Sequence, residues 1–435
     1  MAEMDRHASP WLAEAGAAPA AAPLVGDAEA DVAVVGAGFT GLSAALALRR
    51  EGFDVALLEA RTAGFGASGR NAGHLTPTIG KDIPTLLRLF GRERTGALLR
   101  LAETAIGHVE NLIAKHGIDC DYERVGNVIA AVHERQFPAI DRAAGAAAAA
   151  GAAGQLLDRD ALAQRGLPRA FARGFLEPRG GVLDPGRYVR GLRCAVLEAG
   201  ARLHEHTPVT RIDEGDPAVV HTRDGRVRAR HVVLGTNAWT PTLGWLRARA
   251  VPLHVQLFRT EPLSDAQLER VGWAGREGIY TAHEMLESYR LTADRRIVGG
   301  AKTVRYGFAG RMLPDVDAAT ARLLEKAFRA RFPELGDVRV RDHWGGPIFV
   351  PIDFLPAVGR RGSVLYAAGY AGHGVAQASY AGEMLADLLL EREGPGQVLA
   401  SRRGVPMPPE PLRWLVFQGL TRYFARIDRR ADGVL

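Results

Sequence analysis

The sequence predicts a mixed α/β fold in which a Rossmann-type unit is interleaved with a largely antiparallel sheet. Three observations predict it. Near the N-terminus an apolar strand pattern over 31–35 breaks into Gly36-Ala37-Gly38-Phe39-Thr40-Gly41 and then into a helical pattern. Near the other end, a strand pattern over 364–368 breaks into a second glycine turn, Gly369-Tyr370-Ala371-Gly372-His373-Gly374, again followed by helix. Between them, much of 251–349 shows the alternation of antiparallel strands.

The elements follow in order. Residues 1–30 have loop composition. Leu42, Ala45, Leu46 and Leu48 supply the apolar face of the first helix, Gly52 ends it, and 54–58 is a second strand closing on Glu59. Residues 82–118 recur near helical spacing, and the alanine-rich and glycine-rich run 143–154 reads as a surface helix. The α/β pattern returns with a helix over 187–199, a strand over 208–212, a turn at Asp224-Gly225 and a strand over 231–234. Strand patterns then occupy 255–260, 287–291 and 296–299, the last two joined through Ala293-Asp294-Arg295. The final helix runs to about 393. Beyond it a proline-rich tail ends in Trp414, Leu415, Phe417, Leu420, Tyr423 and Phe424, one face of an amphipathic helix expected to pack on its own domain. The division expected is a discontinuous nucleotide-binding domain, 1–90, 180–250 and 350–435, and a substrate-binding domain, 91–179 and 251–349.

Composition narrows the function. A chain of 435 residues, 47% of them hydrophobic, can bury the cores of two domains. Its longest apolar runs fall far short of the roughly 20 residues that span a bilayer. Pro19 and Pro23 interrupt the alanine-rich run behind the charged start, which does not suit a signal peptide, so a cytoplasmic location is expected. Cys120 and Cys194 form no CxxC, and neither a disulfide framework nor a metal site is expected. The net charge of +6 is scattered among nearly as many acids, without a basic block, so no nucleic-acid partner is expected. Oligomeric state is not legible.

The first glycine motif carries chemistry because of its context. Gly36 permits the tight turn, Gly38 lets backbone N–H groups approach a pyrophosphate, and Gly41 allows close packing of the helix, whose N-terminus favours negative charge. Phe39 and Thr40 complete that turn. Glu59, about 20 residues on, is placed for ribose hydroxyls, with Ala60 and Arg61 beside it. A carboxylate there suits FAD or NAD and opposes NADP.

The segment 63–75, Ala-Gly-Phe-Gly-Ala-Ser-Gly-Arg-Asn-Ala-Gly-His-Leu, decides between them. Here the sequence resembles the glycine/D-amino-acid oxidase (DAO) superfamily of flavoproteins, and within it the gamma-glutamylputrescine oxidoreductase-like branch. The likeness extends over nearly the full chain, through Thr207-Pro208-Val209-Thr210-Arg211-Ile212, Leu234-Gly235-Thr236-Asn237-Ala238, Tyr289 to Asp294, His343-Trp344-Gly345-Gly346 and the last glycine turn with Val375. It implies FAD, and noncovalent FAD is expected because this chain has no cysteine near Gly345 and Gly346, where members that attach their flavin carry one. It implies that Gly66, Ala67, Ser68, Arg70, Asn71, Ala72, Gly73 and His74 run along the pyrophosphate and isoalloxazine, and that Val209 meets the adenine. Thr236, Asn237, Trp239, Gly345, Gly369, Gly372, His373, Gly374 and Val375 are the further expected contacts. His74 stands where the nearer members usually have glutamine. No cysteine occupies the attachment position near Gly345 and Gly346.

The resemblance implies oxidation of the C–N bond of a small amine or amino acid: hydride to flavin N5, an imine product, and O2 as acceptor. Four residues are the catalytic candidates. Lys302 lies roughly where sarcosine-oxidase relatives keep an oxygen-activating lysine, the other reading being a solvated strand-end lysine. Tyr289 and Arg290 belong to the sheet expected to roof the flavin. Arg290 either holds a substrate carboxylate as a planar fork or faces outward, and His74 completes the set. An amine dehydrogenase passing electrons to a carrier or quinone, and a noncatalytic FAD-binding protein, stay open. An aromatic-hydroxylase monooxygenase does not fit, because its Gly-Asp ribityl motif is missing where this chain has 369–375.

Overall fold

A computed structural model describes residues 9–16, 19–400, 402 and 404–432. The first sheet orders Arg202–His204, Val55–Leu58, Gly26–Val35, Gly225–Leu234 and Val364–Ala368 as parallel strands, with Ala357–Arg361 antiparallel at one edge. Its central strands are nearly all apolar because both faces are covered. Val32, Val34, Leu57 and Val233 face one core, while Ala33, Val35, Ala56 and Leu234 face another. The helices Phe39–Arg50, Pro185–Glu198 and Gly374–Leu389 bring Leu42, Leu192 and Leu385 to the first of these cores.

The second sheet orders Arg305–Tyr306, Ala250–Thr260, Ile297–Ala301, Glu287–Leu291, Gly278–Thr281, Asn127–Ala131, Arg173–Glu177 and Gln155–Leu157, with Val340–Pro351 also paired to Ala250–Thr260. Every pairing is antiparallel except that of Gly278–Thr281 with Asn127–Ala131. Strand alternation gives this sheet two distinct faces. On one, Phe258, Ile279, Tyr289 and Ile297 pack under Leu324 and Phe328 of the helix Ala318–Arg331. On the other, Leu257, Val298 and Trp344 pack with Trp11 and Ala72. The second face therefore looks toward the 63–75 loop.

The structure extends several readings. The first strand begins at Gly26, and the segment read as loop contains the helix Pro10–Glu14, capped by the Ser9 side chain and anchored by buried Trp11. The helix Ile83–His116 is broken at Gly91 (φ 73, ψ 176), and its Leu98, Leu101 and Ile106 join the core of the first sheet. The C-terminal helix Leu412–Asp432 half-buries Trp414, Phe417 and Phe424 but leaves Leu415, Leu420 and Tyr423 exposed. Asp428 ties it to the segment before the strand Glu287–Leu291 by accepting from the Glu284 and Met285 N–H groups. Among the described residues no helix is long and apolar enough to cross a membrane.

Candidate active site

The site forms where the parallel strands end, the place at which open α/β sheets bind ligands. Gly36 turns the chain with φ 96°, and a Cβ at Gly41 would lie 1.7 Å from the Gly36 carbonyl oxygen, so only glycine lets the helix come that close. The helix N-terminus thereby opens toward the cavity with free N–H groups and a positive dipole end. Glu59 lies on the opposite side of the turn. Its carboxylate accepts from Ala37 N at 2.8 Å and Arg61 N at 2.9 Å. Burial raises its pKa, and those N–H groups oppose the rise.

The 63–75 loop is seated on this helix and braced internally. Ser68 Oγ accepts from Phe39 N at 2.8 Å. Asn71 Nδ2 donates to Ala67 O and Ser68 O, and Asn71 Oδ1 accepts from Gly73 N. Arg70 points away from the cavity: it stacks on Phe65 (4.4 Å), donates to Phe65 O and Gly345 O, and pairs with Asp315. Trp344 Nε1 in turn donates to Arg70 O at 2.9 Å. Arg70 is thus the clamp between the loop and the second sheet, and Gly345 is the carbonyl it holds.

From the far end of the chain, Tyr370 Oη meets Thr40 Oγ1 at 2.7 Å, and Asn237 Oδ1 accepts from Gly369 N at 3.1 Å. A cavity of about 340 Å³ lies between these parts. Of the residues expected at the cofactor, Gly36, Gly38, Phe39, Thr40, Glu59, Ala60, Arg61, Gly66, Ala67, Ser68, Asn71, Val209, Thr236, Asn237, Trp239, Gly372, Gly374 and Val375 line it. Gly41, Arg70, Ala72, Gly73, His74, Gly345, Gly369 and His373 do not. Gly41 and Gly369 shape the turns behind the wall, and Ala72 packs on Trp11, Leu257, Val298 and Trp344. His373 occupies the N-cap position of Gly374–Leu389 without capping it, and burial lowers its pKa.

The sequence reading missed other wall residues. Val35, Leu58 and Gly235 are strand ends, legible from the rule for parallel sheets. Phe65, Thr207, Leu243, Ile348, Phe349 and Tyr370 also line the cavity, and no local signal marked Ile348 or Phe349.

The catalytic candidates separate onto the two faces of the second sheet. Tyr289 points into the core under Ala318–Arg331, where its hydroxyl donates to Glu287 at 3.0 Å, so its expected place over a flavin is corrected. Lys302 is corrected likewise. It is fully buried, 2.8 Å from Glu287 Oε1, and Arg331 binds the same carboxylate. Neither the solvated reading nor the oxygen-activating one describes it. Arg290, the strand neighbour of Tyr289, points the other way. It lies 5.0 Å over the Trp11 ring, against Gly73, and is itself 3% exposed. His74 is buried nearby, its ring 4.7 Å from that of Tyr280 and so close to Gly278 that a Cβ there would lie 2.3 Å from Nδ1. Burial first, and then the Arg290 charge, lower His74 to a pKa of about 3.

The family model for DAO, FAD dependent oxidoreductase, matches residues 31–388. The chain belongs to the DAO family of FAD-dependent oxidoreductases. It is 33% identical over 366 residues to gamma-glutamylputrescine oxidoreductase of Escherichia coli, covering 82% of this chain and 83% of that protein. It is 29% identical to a probable oxidoreductase, OrdL, of Haemophilus influenzae, covering 89% and 88%. Among solved structures, glycine oxidase from Geobacillus kaustophilus shares the fold with a TM-score of 0.74 at 22% identity, covering 87% of this chain and 100% of that one. Iminodiacetate oxidase from Chelativorans sp. BNC1 does so with a TM-score of 0.67 at 22% identity, covering 85% and 98%.

The geometry fits FAD. A helix N-terminus and glycine backbone suit a pyrophosphate, Glu59 suits a ribose, and Phe65, Trp239, Ile348 and Phe349 supply apolar wall for a flat ring system. Among the lining residues there is no cysteine or histidine side chain.

Proposed function

We propose that this chain oxidises the C–N bond of a small amine or amino acid, holding FAD noncovalently in the cytoplasm and using O2 as final acceptor. When bound, FAD supplies the two-electron acceptor. The observation that carries the reading is Arg290. Its guanidinium is buried, its Nε has no partner, and among the described residues it forms no hydrogen bond or ion pair. Burial lowers its pKa to about 10, with Asp184 and Asp121 opposing the shift and Arg276 adding to it. A buried guanidinium without an acceptor is costly unless an anion completes it. A substrate carboxylate is the matching planar acceptor.

The surrounding residues prepare that pocket. Gly73 carries the cofactor loop directly to Arg290, and Trp11 closes the guanidinium's other side. His74 stays neutral at physiological pH and so adds no positive charge against an amine. The names of the relatives, which include gamma-glutamylputrescine, glycine and iminodiacetate, support the same substrate class. The test is anaerobic addition of amines and amino acids to the FAD-loaded protein, read as loss of the oxidised-flavin band near about 450 nm. Bleaching by a member of the class, with peroxide released once air is admitted, is expected. No bleaching across the class overturns the reading, and turnover without peroxide overturns O2 as acceptor.

A further inference from the structure

The second sheet presents one more unpartnered charge on the face that carries Arg290. Glu177 ends the strand Arg173–Glu177 and is 5% exposed. Among the described residues it has neither a hydrogen-bond donor to its side chain nor an ion-pair partner. Burial alone raises its carboxyl to about 7. Carboxylates are rarely left so, because an uncompensated buried charge is costly even after relaxation.

Its position follows from the register. Glu177 pairs with Asn127, and Asn127 pairs with Gly278. Since Ile279 pairs with Tyr289, Gly278 falls opposite Arg290. Glu177, Asn127, Gly278 and Arg290 thus form one row across adjacent strands, with side chains on one face. Asn127 confirms which face, because its Nδ2 donates to Leu75 O at 2.6 Å, next to His74. His74 Nδ1 and Asn127 Oδ1 lie over the glycine in the middle of the row, each 2.3 Å from where a Gly278 Cβ would stand, so these two side chains form the floor between the ends. Tyr280 is the group common to both ends: Glu177 raises its pKa after burial does, and Arg290 lowers it.

We infer that Glu177 and Arg290 are the two ends of one substrate site, Glu177 taking a cationic amino group and Arg290 a carboxylate, so that the preferred substrate is a linear amino-carboxylate with well-separated charges. The inference rests on the proposed role of Arg290 and adds the opposite end. Three inter-strand steps of about 4.8 Å put the backbone ends of the row roughly 14 Å apart. The charged groups of an α-amino acid are only two covalent bonds apart and cannot meet both ends. Opposite charges at a fixed spacing select length, because a substrate too short leaves one buried charge unpaired.

The experiment titrates FAD-loaded protein anaerobically with 4-aminobutyrate, 5-aminopentanoate and 6-aminohexanoate, and with butyrate, pentanoate and hexanoate. Binding is read calorimetrically and from the flavin absorption spectrum. At least one amino-carboxylate is expected to bind tenfold or more tighter than its amine-free partner. Glu177→Gln is expected to remove that advantage while leaving affinity for the amine-free acid unchanged, and Glu177→Asp, which keeps the charge, to retain part of it. Equal affinity for the two series, or an advantage that survives Glu177→Gln, overturns the inference. If Glu177→Gln loads no FAD, Glu177→Asp decides, since full retention of the advantage with a shortened side chain also overturns it. Arg290→Lys separates the two claims: unchanged binding of the amine-free acids rejects the carboxylate role of Arg290, whatever Glu177 does.

Discussion

Thr40 and Tyr370 are 330 residues apart in sequence and share a hydrogen bond of 2.7 Å inside the cavity wall. Thr40 belongs to the helix opened by the first glycine turn, and Tyr370 to the second turn. The bond holds the two halves of the cofactor site in one geometry. Tyr370→Phe leaves the buried Thr40 hydroxyl without that partner, at a cost of about 1–3 kcal/mol. A lower denaturation midpoint and weaker FAD retention in gel filtration are expected; unchanged values for both would show that the bond contributes nothing.

Gly41→Ala tests the closeness of the first turn. The added Cβ would stand 1.7 Å from the Gly36 carbonyl, and backbone cannot yield as a flexible side chain can. Overpacking of this kind costs about 1–3 kcal/mol and displaces the helix N-terminus that faces the phosphates. The purified variant should show a reduced flavin-to-protein absorbance ratio. A normal ratio would mean the turn can relax without disturbing the cofactor.

Lys302→Met should leave re-oxidation of the reduced flavin by O2 unchanged, because the lysine is on the far side of the second sheet. It should instead destabilise the fold, by less than the roughly 3–5 kcal/mol that stranding a buried charge costs, because Arg331 and Tyr289 still hold Glu287. Although burial pushes Glu287 up, Arg331 and Lys302 hold its carboxyl below the usual range. A depressed folded-state pKa makes this contribution present above the unfolded carboxyl's pKa and lost as pH falls through the folded value. Stopped-flow oxidation and denaturant titration separate the two outcomes, and slowed oxidation would restore the catalytic reading.

His74 has a folded-state pKa of about 3 against an ordinary value of 6.5. Between these values the unfolded chain binds a proton that the folded chain does not. Stability therefore falls as pH drops below about 6.5, with a slope of up to about 1.4 kcal/mol per pH unit from this residue. His74→Gln should flatten the stability profile between pH 7 and pH 5 relative to the parent protein, measured by guanidinium unfolding. Parallel profiles would show that His74 is not buried neutral.

Much of the cofactor site was legible because its signals are local. A strand, a glycine turn, a helix start and an acid at the next strand end are short-range features, and Gly36, Gly38, Glu59 and Ser68 all line the cavity. Arg70 and His74 lie in the same readable loop but face elsewhere, since a glycine-rich segment does not state which of its side chains turn inward. Ile348 and Phe349 carried no signal: they reach the cavity only because Val340–Pro351 pairs along Ala250–Thr260.

The sequence by itself determined the nucleotide-binding unit, the family likeness and the presence of a second, largely antiparallel sheet. Those properties depend on residue type and periodicity along the chain. Tertiary structure decided the direction of Tyr289 and Arg290, and with it which of them can meet a substrate. Strand neighbours always face opposite ways, but only the helix Ala318–Arg331 on one side and Trp11 on the other establish which face is core and which is site. The same choice sent Lys302 to Glu287, and left Arg290 and Glu177 without partners on the face that looks toward the cofactor loop.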